Sequence, residues 1–299
     1  VGRVGLSNAA DPSGAIAFTV AINTTDGTGS LTQHLAVVHP NASDPDDSVF
    51  LGTNLFKVIR TDTIYDGEGD SFTTAPFTVL VGAQFEFEDD GPAIDINANA
   101  VTIVLDESVG TGGSVQNEGG AANNDEAASA DTTDIGYATI GAAALFGETA
   151  DAGSDGQKTK VYSLTLSGAA SGMTDAQNDQ AITLAVNAAG TVVTGSSAGG
   201  GTVFTITVDA ATGAVTVAQF RAIEHNDSAD HDENGASAAG MASGLVALKV
   251  VLTDGDNDTA NDTATYLLST STTSTLSIED DGPGTTVGLA VCDPADVTP

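Results

Sequence analysis

Acidic side chains alternate with small residues at two turns of the sequence, and this spacing suits a calcium ion. Asp254, Asp256 and Asp258 are separated by Gly255 and an asparagine. Calcium takes about six to eight hard oxygen ligands, and small intervening residues let the chain curl so that several carboxylates face one ion. We therefore predict a calcium loop here, although acidic turn residues on a solvated edge are the alternative interpretation. The same pattern occurs earlier in the chain at Asp66, Glu68 and Asp70.

Two further acidic clusters precede Gly-Pro pairs and extend the set of candidate metal ligands. Asp106 and Glu107 follow the first pair closely, so we expect them to complete a site with the acids before it. The pattern is not that of an EF-hand, because the twelfth position from Asp254 is Thr265 rather than glutamate. The candidate ligands of these junctions are Glu88, Asp89, Asp90, Asp106, Glu107, Glu279, Asp280 and Asp281.

A third acidic set follows two histidines at equivalent places in the chain. A metal site is one interpretation of this set, and a solvated loop is the favoured one. The equivalent positions of His39 and His225 favour a packing or capping role for the imidazoles. The acids concerned are Asp44, Asp46 and Asp47 in the first place and Asp230, Asp232 and Glu233 in the second.

The overall charge requires a cationic partner or a strongly solvated surface. Seven basic side chains stand against 41 acidic ones, which gives a formal net charge of −34 in 299 residues. Such a surface repels nucleic acid and anionic lipid, and its self-repulsion opposes compaction unless cations bind. We therefore expect calcium as the cofactor, no nucleic-acid partner and no membrane insertion.

Recognisable catalytic patterns are missing from the sequence. There is no nucleophile elbow, no His-Glu-x-x-His pair and no glycine-rich phosphate loop between a strand and a helix. Carboxylate pairs could serve glycoside hydrolysis, but aromatic residues for stacking a sugar make up only 5% of the chain. The sequence predicts a protein that is not an enzyme.

The candidate ligands recur because the chain repeats itself. A stretch of 31 residues from Ala17 aligns without a gap with the stretch from Val203, at an offset of 186 residues. The offset reaches 188 at the Asp66 and Asp254 turns and 191 at the Gly-Pro pairs, which indicates small loop insertions. We predict the latter part of one repeat over 1–93, a complete repeat over 94–285, with a division into two subdomains near 190–201, and a tail over 286–299.

Alternating apolar and polar residues predict that both copies are built from β-strands. Val203 to Val208 and Ala214 to Val217 read as a hairpin whose turn ends at Gly213. Strands at this spacing predict an all-β fold of tandem immunoglobulin-like β-sandwich domains with long Gly- and Asp-rich loops, one of them over 109–134. Short helical turns are expected only near 31–39, 217–225 and 140–147.

Several motifs together resemble the long repeats of giant repeats-in-toxin (RTX) adhesins that bacteria export by type I secretion. The resemblance rests on "SLTLSGAASGMTDAQNDQAITLAVN" from Ser163, "VFTITVDAATGAVTVAQFRAIEH", "LTDGDNDTA" and the closing "IEDDGP". It implies extracellular extender domains stacked end to end, with calcium near their junctions stiffening the chain. Tandem Gly-Gly-x-Gly-x-Asp nonapeptides are absent, so the chain does not read as a calcium β-roll.

The function expected from the resemblance is a structural spacer at the bacterial cell surface, in cell adhesion or a biofilm. Its partners would be neighbouring repeats of the same or an identical chain. Two alternatives remain open: a module that binds a glycan or a protein on another surface, and a filament subunit joined to its neighbours by strand exchange.

Overall fold

The computed structural model describes residues 1–7, 9–107, 109–110, 114–115, 134–226, 238–241, 244–264 and 274–280. Regular structure in these ranges is almost entirely β, which confirms the predicted all-β class. The helical segments among them are α1 (Ala142–Leu145), which lies in the third region expected to turn helically, and a 3-10 helix at Gly82–Gln84. No helix among the described residues has the length and apolar character needed to span a bilayer.

The other two helical predictions were wrong. Leu31 lies in a strand and pairs with Val20, and Val217 lies in a strand and pairs with Ile206. In both places strand pairing continues through the first three residues, 31–33 and 217–219, where it satisfies the backbone groups that a helical turn would otherwise pair. The rest of each segment contains no helix.

The chain divides into two compact units, each made of three stretches of sequence. Unit 1 comprises Val1–Asp95, Thr149–Lys160 and Val251–Asp262. Unit 2 comprises Ile96–Glu148, Val161–Val250 and Thr263–Pro299. The boundaries expected from the repeat stay predictions, as does the immunoglobulin-like character of the domains. Most of the loop expected over 109–134 lies outside the described residues.

Unit 1 contains four small antiparallel sheets of two or three short strands each. Their orders are β1-β2-β3, β4-β9, β5-β8 and β6-β7. Phe87 is buried in this unit, and its ring lies 5.1 Å from that of Phe18. The strands are β1 (Gly2–Arg3), β2 (Ile16–Ile22), β3 (Gly29–Gln33), β4 (Ser48–Phe50), β5 (Lys57–Arg60), β6 (Thr63–Tyr65), β7 (Ser71–Thr73), β8 (Phe77–Leu80) and β9 (Glu86–Glu88).

Unit 2 contains a six-stranded antiparallel sheet of order β14-β21-β20-β19-β18-β17, together with the sheets β11-β24 and β12-β13. Val203, Phe204, Ile206, Val215 and Val217 of its central hairpin are fully buried. The strands are β11 (Val101–Asp106), β12 (Val109–Gly110), β13 (Ser114–Val115), β14 (Gly136–Ile140), β17 (Ala170–Asp175), β18 (Gln180–Val186), β19 (Val192–Ser197), β20 (Gly201–Val208), β21 (Val215–Gln219) and β24 (Ser274–Glu279).

The predicted hairpin is confirmed at β20 and β21. The two strands pair up to Val208 and Val215, and Gly213 has a φ of 73°. A positive φ of this size is easily reached by glycine, which lacks the Cβ that would clash. Asp209 Oδ1 accepts the backbone N–H groups of Ala211 and Thr212 and so closes the turn.

Two further sheets, β10-β15 and β16-β22-β23, contain strands whose residues divide between the two units. In the sheet β16-β22-β23, the Asp254 turn joins β22 to β23. The strands are β10 (Ala93–Ala98), β15 (Phe146–Asp151), β16 (Gln157–Leu166), β22 (Val246–Asp254) and β23 (Thr259–Ala264).

Candidate metal centre

A tight turn between β22 and β23 orients three of the predicted carboxylates. Asp254 Oδ1 accepts the backbone N–H of Asn257 at 3.1 Å and that of Asp258 at 2.8 Å. The backbone N–H of Asp254 in turn donates to the Asp258 carbonyl at 3.2 Å. Asn257 takes a φ of 94°, in a region where asparagine is one of the less costly non-glycine residues. These bonds fix the turn and leave Asp254 Oδ2, Asp256 Oδ1 and Asp258 Oδ2 without a hydrogen-bond partner among the described residues.

These three carboxylates belong to a larger cluster within unit 1. Carboxylate oxygens of Asp254, Asp256 and Asp258 lie within 4.8 Å of one another. Two overlapping groups with the same spacing extend the cluster, one of Asp89, Asp155 and Asp256 and one of His39, Asp47 and Asp89. Six carboxylates and one imidazole therefore surround a small region. We name these seven residues the unit 1 cluster.

Four residues of the unit 1 cluster are buried, and the other three, Asp47, Asp89 and Asp155, are half-buried, although carboxylates are normally exposed. Asp254, Asp256 and Asp258 are 1%, 5% and 2% exposed, and the side chain of Asp89 is 4% exposed. Isolated charges in such surroundings are costly, so buried carboxylates are normally paired with cations or coordinate metals. Lys158 reaches the same turn, where it donates a hydrogen bond to Asn257 Oδ1.

Five carboxylate oxygens of the cluster are buried without a hydrogen-bond partner among the residues that the structure describes. Each unpaired buried acceptor costs about 1–3 kcal/mol, and more when it is charged. A cation bound among them would remove that cost. The oxygens are Asp47 Oδ1, Asp89 Oδ2, Asp254 Oδ2, Asp256 Oδ1 and Asp258 Oδ2.

His39 is held in a fixed orientation inside the cluster. Its Nε2 lies 3.2 Å from the Phe87 carbonyl, which can only accept, so Nε2 carries a proton. Its Nδ1 lies 3.3 Å from Asp89 Oδ1 and 3.8 Å from Asp256 Oδ2. In the neutral ring, Nδ1 therefore presents a lone pair to carboxylates, and either a proton or a bound cation relieves that contact.

Repulsion among the carboxylates changes their affinities for protons. Burial, together with the neighbouring Asp89, Asp256 and Asp254 carboxylates, raises the pKa of Asp258 to about 6. Burial and the contact with Asp256 also raise the pKa of Asp254. Burial opposes ionisation of Asp256 as well, but the hydrogen bond from the His39 backbone and the contact with Asp254 outweigh it and lower the pKa of Asp256. The cluster thus holds negative charge that hydrogen bonds only partly stabilise.

Two glycines allow the acidic loops of unit 1 to approach one another. A Cβ on Gly153 would lie 1.7 Å from the Asp90 carbonyl oxygen, and its φ of 68° also favours glycine. A Cβ on Gly255 would lie 2.7 Å from the Asp155 carbonyl oxygen. Close packing at these two positions brings Asp155 near Asp89 and Asp256.

The earlier acidic turn forms the same hairpin loop without burial. Asp66 Oδ1 accepts the N–H groups of Glu68 and Asp70, and Gly69 has a φ of 97°. Asp66, Glu68 and Asp70 are nevertheless exposed. Two copies of one turn therefore have opposite surroundings, and only the second copy brings carboxylates together with those of other segments.

The remaining candidates divide between the surface and a second cluster. Glu88 and Asp90 are exposed, and Asp90 accepts a hydrogen bond from Ser154. Glu107 lies in unit 2, where it forms a group with His225 and Asp280. Glu279 is half-buried and pairs in register with Asp106 at the ends of β24 and β11. Asp281 and the acids over 230–233 lie outside the described residues.

Sequence reasoning missed three members of the unit 1 cluster. The sequence favours a packing role for His39 and a solvated loop for Asp47, and it leads to no prediction for Asp155. The usable signal for Asp155 was its Gly-Ser-Asp-Gly setting, which resembles the other acidic turns. For His39 and Asp47, the signal was a histidine repeated among aspartates at an offset of 186 residues.

Comparison with known proteins assigns the chain to a family whose function is not established. Residues 1–76 and 102–266 match the family described as Domain of unknown function (DUF5801). The chain belongs to this family. The aligned copy from Ala17 falls in the first matched segment, and the copy from Val203 falls in the second. No curated protein and no solved structure gives a significant match.

Proposed function

We propose that this DUF5801 chain is a calcium-stabilised structural spacer in an extracellular bacterial adhesin or cell-surface filament. The observation that carries the proposal is the unit 1 cluster, with its five buried carboxylate oxygens that lack hydrogen-bond partners among the described residues. The resemblance of the repeats to those of RTX adhesins supports the setting. The formal charge of −34 supports a protein that works where cations are abundant.

Calcium fits the ligand set better than the other common divalent ions. Five unpartnered oxygens approach the six to eight that calcium takes at about 2.3–2.6 Å. Magnesium demands a near-ideal octahedron and keeps several waters, which a buried cluster of protein oxygens accommodates poorly. Zinc sites favour about four ligands, mainly cysteine and histidine, whereas this cluster offers one imidazole.

The position of the cluster supports a mechanical role. Its ligands come from 39–47, 89, 155 and 254–258, which are far apart in sequence. An ion bound there would tie these segments together and would be present only in the folded state. Its binding energy would therefore add to the stability of unit 1. Extracellular calcium modules typically bind with dissociation constants of about 0.1–1 mM, so such a site fills outside the cell.

The burial of the unit 1 cluster also favours a structural role over a catalytic one. The three carboxylates of the Asp254 turn are at most 5% exposed. A substrate would have to displace packed protein to reach them, whereas a bare ion needs only a small cavity. We therefore propose that the chain is not an enzyme.

The test is thermal unfolding of the whole chain in excess calcium and in excess chelator. An ion at about 100 times its dissociation constant adds about 2.7 kcal/mol, which raises the melting temperature by roughly 10 °C for a unit of this size. Chelator should reverse the rise, and magnesium at the same concentration should not reproduce it. An unfolding curve that is identical with and without calcium would overturn the proposal.

A second candidate, an adhesive module, is favoured by exposed aromatic rings in unit 1. Phe50, Tyr65, Phe72 and Phe77 are each more than half exposed. Exposed apolar residues that lie together often mark interaction surfaces, and Tyr65 and Phe72 line one shallow groove of the β6–β7 hairpin. A glycan array probed with folded protein tests this candidate, and a consistent signal for one sugar class would support it. An array without signal would remove the glycan form of the candidate.

A further inference from the structure

His39 supplies the single imidazole among the seven residues of the unit 1 cluster. Calcium takes hard oxygen ligands, whereas imidazole suits zinc, copper, iron and nickel. The calcium ion of the proposed function therefore gives the ring no role. Packing does not account for the ring either, because its side chain is 3% exposed and its Nδ1 has no hydrogen-bond partner among the described residues. The buried nitrogen requires a partner other than calcium.

The His39 ring is held in the way that metal-binding histidines are held. Its Nε2 donates to the carbonyl of Phe87 in β9 at 3.2 Å, which leaves the lone pair of the neutral ring on Nδ1. Histidines that bind metals almost always donate their second ring N–H to a carbonyl, a carboxylate or water, and this bond sets the tautomer and the orientation of the ring. The backbone N–H of His39 donates to Asp256 Oδ2 at 2.9 Å. Bonds from the ring and from the backbone thus fix the direction of Nδ1.

Asp47 and Asp89 lie opposite each other beyond the last pair of the β4–β9 ladder. Ser48 pairs with Glu88, so Asp47 and Asp89 occupy the next position on the two strands. The backbone N–H of Asp89 donates to the Asp47 carbonyl at 3.1 Å and continues the pairing. Like charges directly opposite each other on paired strands are destabilising. A cation between the two carboxylates would replace this repulsion by attraction.

His39, Asp47 and Asp89 form a distinct group within the cluster, which we name the imidazole site. Their ligand atoms lie within 4.8 Å of one another. All three residues come from one copy of the repeat, and β9 positions them through the Phe87 carbonyl and the end of its ladder with β4. Asp47 Oδ1 and Asp89 Oδ2 are buried without a hydrogen-bond partner among the described residues. The imidazole site therefore presents one nitrogen and two carboxylates that local structure holds together.

We propose that the imidazole site holds a first-row transition-metal ion, which Asp89 bridges to the calcium ion at the Asp254 turn. One imidazole and two carboxylates are a ligand set for a divalent manganese, iron or zinc ion, with water in the remaining positions. Calcium retains the carboxylates of Asp89, Asp155 and the Asp254 turn, which together with water supply its six to eight oxygens. The inference rests on the proposed function only for this neighbouring calcium ion.

The charge of the cluster supports a second ion. Its six carboxylates carry six negative charges when all are ionised, and one calcium ion offsets two of them. Buried carboxylates are normally paired with cations or coordinate metals. A second divalent ion would offset two more charges at the end of the cluster that lies at β4 and β9.

Manganese binding to the calcium-saturated full chain tests the proposal. Calcium at about 10 mM, well above the dissociation constants typical of extracellular sites, fills the Asp254 turn and competes for exposed carboxylates. The wild type should then bind one manganese ion, and pulsed electron paramagnetic resonance should show its coupling to an imidazole nitrogen. Zinc should displace the manganese, because zinc binds such sites more tightly, whereas excess magnesium should not.

A chain that binds no manganese in calcium would overturn the inference. This result is expected if His39 is an imidazolium that pairs with Asp89, because both ring nitrogens then carry protons. Manganese that shows no nitrogen coupling, or that magnesium displaces, would overturn it as well, because the ion would then be held by carboxylates alone.

Variants of two histidines assign the ion to its site. His39→Phe removes the nitrogen ligand and should abolish both manganese binding and the nitrogen coupling. His34 lies in the same segment and is exposed, so His34→Gln is the matched control and should bind manganese like the wild type. A manganese ion that keeps its nitrogen coupling in His39→Phe would lie elsewhere and would contradict the proposal.

Asp47→Asn provides a second variant should His39→Phe fold poorly. The amide keeps the shape of the side chain and removes the charge that faces Asp89. Manganese binding should weaken by more than about tenfold, since even changes to residues that only orient a ligand cost about 10–100-fold in metal affinity. Unchanged manganese affinity in a folded Asp47→Asn chain would contradict the assigned ligand set.

The outcome for the proposed function is read separately. A calcium-dependent rise in melting temperature in a chain that binds no manganese would refute only the imidazole site. Manganese bound through His39 in a chain whose melting temperature does not respond to calcium would support the imidazole site and refute the calcium site.

Discussion

At the scale of single residues, the cluster combines buried negative charge with incomplete compensation. Asp258 is 2% exposed and lies close enough to the Asp89, Asp256 and Asp254 carboxylates that its pKa is raised to about 6. In the proposed calcium site, an ion and a proton would therefore compete for the same oxygens. The charges that destabilise the ion-free protein would stabilise the ion-bound one.

Replacement of Asp258 by asparagine should have opposite effects with and without calcium. The amide keeps the shape of the side chain and removes one negative charge from the cluster. Without calcium we expect a higher melting temperature than that of the wild type, because repulsion falls. With calcium we expect roughly tenfold weaker binding, equivalent to about 1.4 kcal/mol. Calorimetric titration and thermal unfolding measure the two effects.

The chain supplies a matched control for this change in Asp70. Asp70 occupies the equivalent position of the other hairpin, where it is exposed. Asp70→Asn should change stability by less than about 0.5 kcal/mol in dilute protein, with or without calcium. If Asp258→Asn behaves like this control in both conditions, Asp258 is not a ligand.

A second residue-scale prediction concerns the buried ion pair of unit 2. Asp175 is fully buried, and its carboxylate accepts from Arg221 Nε at 2.9 Å and from Arg221 Nη2 at 3.1 Å. Arg221→Leu places in the second copy the residue that the first copy has at the equivalent position, Leu35. It should destabilise unit 2 by about 3 kcal/mol, because an unpaired charge remains buried.

The pH dependence of this pair has a definite sign. Burial opposes ionisation of Asp175, but the hydrogen bonds from Arg221 and Ser197 outweigh it and hold its pKa below the ordinary 3.8. The stabilisation is thus fully present above 3.8 and is lost as the pH falls through the lowered pKa. In denaturant unfolding, the difference in the free energy of unfolding between wild type and Arg221→Leu should become smaller as the pH falls toward 3. A difference that becomes larger there would contradict the lowered pKa of Asp175.

At the scale of elements, the conformation of an acidic turn can be predicted from its local sequence, whereas the burial of that turn cannot. The Asp-x-Asp-x-Asp spacing predicts the hairpin loop, and in both copies the first aspartate, Asp66 or Asp254, accepts through Oδ1 the backbone N–H of the residue four positions later. Whether the loop meets other carboxylates depends on segments far away in sequence. The contacts of Asp256 with His39 and Asp89 could not be predicted from either turn alone.

The close approach of Gly255 to the loop of Asp155 leads to a prediction at the scale of elements. A Cβ there would meet the Asp155 carbonyl oxygen at 2.7 Å, whereas a Cβ on the equivalent Gly67 meets nothing within 4 Å. Gly255→Ala should push the two loops apart, destabilise unit 1 by about 1–3 kcal/mol and weaken calcium binding. Gly67→Ala should be nearly neutral. Equal effects of the two changes on unfolding and on calcium titration would show that the approach is unimportant.

At the scale of the whole molecule, periodicity predicted the all-β class, which the structure confirms. The need for cations, expected from composition, stays a prediction. Alternation from Val203 to Val217 was enough to define a hairpin, because strand pairing there is local. The division into discontinuous units was beyond such reasoning. Residues 149–160 and 251–262 join Val1–Asp95 through contacts that no local pattern encodes.

The central claim, that calcium occupies the unit 1 cluster, is tested most directly by a crystal structure grown in millimolar calcium. Anomalous difference density should show an ion bonded to oxygens of Asp254, Asp256 and Asp258 at about 2.3–2.6 Å. Ordered water alone among these carboxylates, in a protein with the same fold, would contradict the account.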